Sequence, residues 1–253
     1  MSGISIEKEE KVLVVKLNRP EKRNAINLEM AEKLEKVWKD FEKDESLFVG
    51  VITGEGENFC AGADLGDLKN LMNRAKKPEG PLGFTRMLLS KPVIAAISGY
   101  CVAGGLEIAL WADFRIADET AKFGFLQRRF GVPLINGGTQ RLPKVVGLGN
   151  ALYLMITGKL ISSQEALRIG LVNEVVEKGR ALERSLEIAR LIAEYPQETL
   201  RNDRKSLFAG LGEPLKKGFE IEMEIGMDSL RNEEIYKKAE KFVRNGKGRH
   251  GKM

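Results

Sequence analysis

The amino-acid order predicts an α/β fold that gives way to an all-helical C-terminal region. Three observations carry this. Short β-branched apolar runs at residues 12–17, 48–53 and 93–97 alternate with helical periodicity, glycines punctuate the strand ends, and beyond Gly131 the segments turn helical. A chain of 253 residues with 43% hydrophobic side chains can bury a substantial core without metal or disulfide staples.

Residues 12–17, VLVVKL, read as a strand paired with residues 4–7 across the turn at Glu9 and Glu10, and the polar stretch from Asn18 to Asn24 breaks it. Over residues 28–41, Leu34, Val37, Trp38 and Phe41 recur at three- and four-residue spacing, which predicts an amphipathic helix. The strand at 48–53 ends at Gly54 and Gly56. Residues 65–80 mix charges and close on Lys76-Lys77-Pro78-Glu79-Gly80, so they read as a mobile excursion from the core, with a short helix expected ahead of Pro92. Residues 93–97, bounded by Pro92 and Gly99, predict a buried strand, and residues 104–112 a helix that starts within a glycine pair. Helices follow at 138–143, 149–157, 163–169 and 180–194, the third capped by Ser162 with Glu165 three residues on and stopped by Gly170. Residues 198–245 predict two or three more, the last at 232–243, and the chain divides into a core of residues 1–195 and a helical region of residues 196–253.

Composition excludes several function classes. The 41 Lys and Arg against 36 Asp and Glu leave a net charge of +5 with both signs interspersed, unlike the unbroken basic runs of nucleic-acid-binding tails. The C-terminal cations Lys237, Lys238, Lys241, Arg244, Lys247, Arg249 and Lys252 are diluted by Glu233, Glu234 and Glu240, and no nucleic-acid-binding motif accompanies them. No apolar run approaches the length of a membrane span, and the N-terminal residues carry no signal-peptide core. Cys60 and Cys101 have no metal-ligand spacing, so a reducing, cytoplasmic setting is expected. The single histidine, His250, lies near the C-terminus, which leaves Ser-His-Asp hydrolysis and His-ligated zinc without a candidate; no metal is expected.

Chemistry concentrates in two Gly-rich turns, Phe59-Cys60-Ala61-Gly62-Ala63-Asp64-Leu65 and Gly99-Tyr100-Cys101-Val102-Ala103-Gly104-Gly105-Leu106-Glu107. In each, a strand runs into small residues that expose main-chain N–H groups near a helix start, and two such groups brought together can hold a developing oxyanion. Glu107 lies one helical turn beyond Gly104, where a carboxylate could exchange a proton with the carbon next to an activated carbonyl. Simple turn and packing roles, or a salt bridge from Glu107 to Arg128 or Arg129, account for the same spacing.

These segments, with Asn18-Arg19-Pro20 and Asn24-Ala25 ahead and GVPLINGGTQRLPKVVG at 131–147 and ITGKLISSQEALRIGLVNEVV at 156–176 behind, resemble the enoyl-CoA hydratase/isomerase (crotonase) superfamily in order along the chain. The resemblance implies a crotonase-like spiral of ββα units, assembled as a homotrimer or a hexamer made of two trimers. It implies an acyl-CoA thioester whose carbonyl oxygen is held by the N–H groups of Ala63 and Gly104, with coenzyme A arriving as part of the substrate and no permanently bound cofactor. The CoA-contacting turn falls at Lys22, Arg23 and Ala25, whose cations suit nucleotide phosphates. Ala61, Asp64, Leu65, Arg128 and Asn136 are further candidates for substrate or CoA contact, with capping for Asp64, an ion pair for Arg128 and a turn for Asn136 as structural alternatives.

Hydratases of this superfamily use two glutamates. The first matches Glu107; the second falls twenty residues later, where this chain has Gln127. An amide can hold water but cannot act as an acid or base near neutrality. The string from Gln127 to Pro133, with the terminal Gly246-Lys247-Gly248-Arg249-His250-Gly251, resembles a subgroup labelled enoyl-CoA hydratase. Hydration or dehydration with one Glu acid/base is therefore the expected activity. A one-base isomerase, other enolate chemistry or a non-catalytic acyl-CoA-binding scaffold are the alternatives.

Overall fold

The structure is a computed structural model that describes residues 3–231 and 233–245. A six-stranded sheet runs in the order β1-β2-β3-β4-β6-β9, built from β1 (Ile4–Glu9), β2 (Val12–Leu17), β3 (Val49–Gly54), β4 (Val93–Ile97), β6 (Phe114–Asp118) and β9 (Glu174–Val176). Only β1 and β2 pair antiparallel, with Glu9 opposite Val12 across a tight turn; the other neighbours are parallel. A second, three-stranded sheet holds β5 (Tyr100–Val102), β7 (Lys122–Gly124) and β8 (Ile161–Ser162).

Three parallel strands of the large sheet, β3, β4 and β6, each pass through a turn to a short segment beside or within the small sheet and then to a helix. After β3 the segment at Cys60 bridges Cys101 of β5 and leads to α2 (Leu68–Asn73); after β4 come β5 and α3 (Gly104–Trp111); after β6 come β7 and the long α4 (Gly138–Thr157). This is a spiral of ββα turns, as expected. The period-two alternation of β2 explains its layers. Leu13, Val15 and Leu17 face a core shared with Trp38 and Phe41 of α1 (Leu28–Lys43) and with α3, while Val12 and Val14 face the helix α6 (Ala181–Glu194). The helix α3 is buried on every side, which is why its sequence shows no polar stripe.

The helix α4 carries a kink at Gly147 (φ 77°, ψ 160°), which separates the two helices expected there. Ser162 caps α5 (Ser163–Arg168) by accepting from the Glu165 N–H at 3.2 Å. Residues from Tyr195 onward form a compact unit of their own, with α7 (Gln197–Gly210), α8 (Leu215–Leu230) and α9 (Glu233–Asn245); Asn202 of α7 donates to Ser229 of α8 at 2.9 Å. Asn232, Lys247, Arg249, His250 and Lys252 lie outside the described residues.

Two expectations are corrected. Residues 65–80 are tied to the core: Leu71 of α2 is fully buried, the buried Arg74 pairs with Glu35 of α1, and Lys39 meets Glu79 at 2.6 Å. Their mixed charge is spent on ion pairs with α1. The short helix ahead of Pro92 does not form, because Gly83 (φ 95°) turns the chain so tightly against α1 that a Cβ there would lie 1.9 Å from the Ala31 oxygen. The strands β5 to β9 went unforeseen because they are short or, in β6, carry charges. Arg115 of β6 is buried by donating to the carbonyls of Leu171, Ala112 and Ala109.

Candidate active site

The strand β5 delivers the chain to Ala103, whose φ of 53° and ψ of −126° lie where side chains rarely go. That turn starts α3 at Gly104. Facing it, the segment after β3 pairs with β5, Cys60 N–H donating to the Tyr100 carbonyl at 2.9 Å and Val102 N–H to the Cys60 carbonyl at 3.0 Å. The two turns then meet: a Cβ on Gly62 would lie 2.6 Å from the Gly104 nitrogen, and one on Gly104 would lie 3.5 Å from the Ala63 nitrogen. Ala61 N–H is taken by the Arg23 carbonyl and Asp64 N–H by the Ile26 carbonyl, whereas Ala63 N–H and Gly104 N–H donate to no protein group among the described residues. Two free amides at the start of a helix suit a developing negative charge.

Glu107 sits one turn along α3 and is 2% exposed. Its Oε1 accepts from the main-chain N–H groups of Asn136 and Gly138, each at 2.9 Å, and its Oε2 lies 3.4 Å from the Asn136 Nδ2. Gly138 is the first residue of α4, so the carboxylate faces the positive end of that helix. Burial pushes the Glu107 carboxyl above the ordinary carboxylate range, and the hydrogen bonds from Gly138 and Asn136 and the charge of Arg141 pull it back. The buried Thr85 hydroxyl donates to the Asn136 Oδ1 at 2.9 Å, which turns the amide nitrogen toward Glu107.

Ala63, Gly104 and Glu107 border one cavity of about 180 Å³ with mostly apolar walls, including Leu82, Val132 and Pro133. Ala61, Leu65, Gln127 and Asn136 border it too. Gln127, in a 3₁₀ helix from Leu126 to Phe130, is 7% exposed, and neither polar atom of its amide has a hydrogen-bond partner among the described residues.

Two free amides, a buried carboxyl and an apolar cavity therefore sit on a ββα spiral, and residues 7–251 match the enoyl-CoA hydratase/isomerase family. The chain belongs to that family. It is 38% identical over 216 residues to the short-chain-enoyl-CoA hydratase of Clostridium acetobutylicum, covering 83% of each chain, and 37% identical over 225 residues to the crotonyl-CoA hydratase of Syntrophomonas wolfei, covering 87% of this chain and 86% of that one. Among solved structures, an enoyl-CoA hydratase from Mycobacterium tuberculosis H37Rv superposes with a TM-score of 0.92 at 29% identity, over 97% of each chain.

In this enoyl-CoA hydratase/isomerase family member the remaining candidate residues separate. Lys22 and Arg23 are exposed on the turn before α1, and the Arg23 guanidinium lies 5.0 Å over the Tyr100 ring. That turn is joined to the Ala61 turn by the Arg23 carbonyl, and the buried Ala25 gives its carbonyl to Arg19 at 2.8 Å. One Asp64 oxygen accepts from the Gly66 N–H at 3.0 Å and the other from Arg19 at 2.9 Å, and Asp64 does not border the cavity. Arg128 is exposed, does not border the cavity and donates to the Met155 carbonyl at 3.2 Å, and among the described residues neither it nor Arg129 pairs with Glu107. Asn136 borders the cavity, but its side chain is held by Thr85 and Glu107 at opposite ends.

Sequence reasoning missed Gly138, Arg141 and Thr85. The glycine pair Gly137-Gly138 followed by Arg141 was visible as a string, but nothing in it says which carboxylate it would meet. Among the described residues no cluster could hold a metal ion, and no helix is long and apolar enough to cross a membrane.

Proposed function

We propose that this protein catalyses the reversible hydration of an enoyl-CoA thioester, with Glu107 as the only residue that moves a proton. The observation that carries this is that the turns of Ala63 and Gly104, whose N–H groups are free, lie against each other on the cavity that Glu107 also borders. The thioester oxygen accepts both N–H groups. The Glu107 carboxylate takes a proton from water as the water oxygen bonds to the third carbon, and the double-bond electrons move onto the thioester oxygen as an enolate. The same carboxyl then returns its proton to the second carbon, so one water is added across the double bond and Glu107 is regenerated.

Lys22 and Arg23, exposed cations on the turn joined to the Ala61 turn, are assigned to the phosphates of coenzyme A, which enters and leaves as part of the thioester. The assembly is a homotrimer or a hexamer of two trimers, supported by the apolar Leu207, Phe208, Phe219 and Met223 that the unit from Tyr195 onward leaves exposed. Two buried free thiols, Cys60 and Cys101, fit a reducing cytoplasm.

Replacing Glu107 by Gln tests the assignment: hydration of crotonyl-CoA is lost while CoA thioester binding remains. Unchanged turnover in that variant overturns it. The second reading is a double-bond shift run by Glu107 as the one base, which needs no proton carrier at Gln127. It predicts conversion of a 3-enoyl to a 2-enoyl thioester with no oxygen taken up from labelled water.

A further inference from the structure

The free N–H groups of Gly104 and Ala63 are oriented by different means. Across a trans peptide the N–H points away from the preceding carbonyl, so whatever holds that carbonyl aims the N–H. The carbonyl ahead of Gly104 belongs to Ala103 and accepts from the Leu106 and Glu107 N–H groups at 3.1 and 3.3 Å, so α3 aims its own first N–H. The carbonyl ahead of Ala63 belongs to Gly62, which lies in no helix. It accepts from the Ile26 N–H at 2.8 Å, and the Ile26 carbonyl takes the Asp64 N–H at 2.8 Å. The Ala63 donor is therefore aimed from outside its own turn, by the segment that precedes α1.

That segment is set by Asn24. Its side chain is fully buried; Oδ1 accepts from the Arg19 N–H at 2.9 Å, and Nδ2 donates to the carbonyls of Glu55 and Asn58 at 2.9 and 2.6 Å. One amide thus ties the segment to the stretch that leaves β3 and runs through Cys60 to Ala63. Asn24 stands at a φ of 56°, a conformation that Asn tolerates better than most residues, and a Cβ on Gly54 would lie 2.6 Å from its Nδ2, so the chain leaves room for this amide. Arg19 adds a second tie. Its Nη1 donates to the Ala25 carbonyl at 2.8 Å and to an Asp64 oxygen at 2.9 Å, beside the bridge between Ile26 and Ala63. Neither side chain borders the cavity.

From these observations we infer that Asn24, supported by Arg19, is a positioning residue for the Ala63 N–H: it holds the segment whose Ile26 N–H fixes the Gly62 carbonyl, and so keeps the Ala63 donor aimed at the thioester oxygen. This inference rests on the enoyl-CoA reading of the same site and adds what orients one of its two donors. A tie that served stability alone would leave every folded molecule fully active, whereas a positioning tie sets kcat in molecules that are folded and saturated.

The test compares the unaltered full chain with Asn24→Gly, Arg19→Met and Glu107→Gln. Glycine accepts the positive φ, so Asn24→Gly removes the amide without straining the backbone. Arg19 is 19% exposed, so Arg19→Met carries the test if Asn24→Gly does not fold. Two quantities are read: kcat and KM for hydration of crotonyl-CoA, and the infrared stretch of the thioester carbonyl of bound butyryl-CoA, isolated by isotopic labelling of that carbon, which each hydrogen bond to the oxygen lowers. In Asn24→Gly, kcat is expected to fall about 10- to 100-fold while KM rises about threefold or less, and about half of the lowering of the stretch is lost as one of two donors leaves the oxygen. Arg19→Met moves both quantities the same way by less, about three- to tenfold in kcat. Glu107→Gln loses turnover and keeps the whole lowering, because both amides are untouched. The inference is overturned if the folded variants keep the kcat of the unaltered protein, if their kcat falls while the stretch is lowered in full, or if the loss lies in KM alone. An unaltered protein that binds butyryl-CoA but does not hydrate crotonyl-CoA defeats the proposed reaction, and the carbonyl stretch then decides this inference by itself. One that binds no butyryl-CoA defeats the acyl-CoA reading and this inference with it.

Discussion

Glu107 on α3 and Gly138 on α4 meet through a single hydrogen bond of 2.9 Å, so the acid of one helix is held by the first N–H of the next. Both Oε1 and Cγ of Glu107 lie 3.0 Å from where a Cβ on Gly138 would stand. Gly138→Ala therefore pushes the carboxyl along the cavity. About a 10- to 100-fold fall in kcat is expected, with KM for crotonyl-CoA little changed, because the amides that bind the thioester are untouched. Loss of enoyl-thioester absorbance at a series of substrate concentrations measures both; a raised KM at unchanged kcat would contradict the geometry.

Gly62 controls the other half of the site. Its φ is 94°, and a Cβ added to it would stand 2.6 Å from the Gly104 nitrogen, which leaves no room for a side chain. In Gly62→Ala the Gly104 N–H is displaced from the thioester oxygen, and turnover should fall about 100- to 1,000-fold, as for loss of one oxyanion donor. A stability loss of about 1–2 kcal/mol from the positive φ accompanies it and is read from a thermal melt. A variant that melts normally and turns over normally would mean that Gly104 does not serve the reaction.

The pH dependence follows from Glu107. Burial raises its carboxyl above the usual value, so activity that needs the carboxylate is lost with acid at a pH above the ordinary carboxyl range. Removing the opposing influences moves that limb higher still. Arg141→Met deletes a favourable charge and Thr85→Val frees the Asn136 amide to turn away, so both should shift the acid limb of kcat upward, and Thr85→Ser should restore it. Stability runs with the opposite sign: a carboxyl raised on folding favours the folded state below its unfolded value near 4.5, and that contribution is lost as pH rises through the folded value. Glu107→Gln should flatten this slope in melts taken across the range. A limb that ignores both Arg141→Met and Thr85→Val would separate Glu107 from the pH profile.

The parts of this molecule that could be read along the chain are those with a local cause. The apolar, β-branched run VLVVKL, the helical spacing of Leu34, Trp38 and Phe41, and the Ser162 cap each act within a few residues, and each produced the element expected. The Gly-rich turns also drew attention to Gly104 and Glu107, and the family resemblance added Ala63.

What could not be read is whatever depends on two distant segments meeting. Residues 65–80 looked like a solvated charged loop until the burial of Arg74 against Glu35 brought them into the core. Asp64 and Arg128 carry charges suited to a ligand, and only the fold shows that Arg19 and the Met155 carbonyl contact them; a charge on a one-dimensional string does not name its partner. The hold of Thr85, Asn136 and Gly138 on Glu107 spans up to 51 residues of chain between partners, and the isolation of Gln127 is a statement about everything near it. Side-chain type and spacing set which groups are available; packing in three dimensions sets which of them are already satisfied, and the ones left over are those free to meet a substrate.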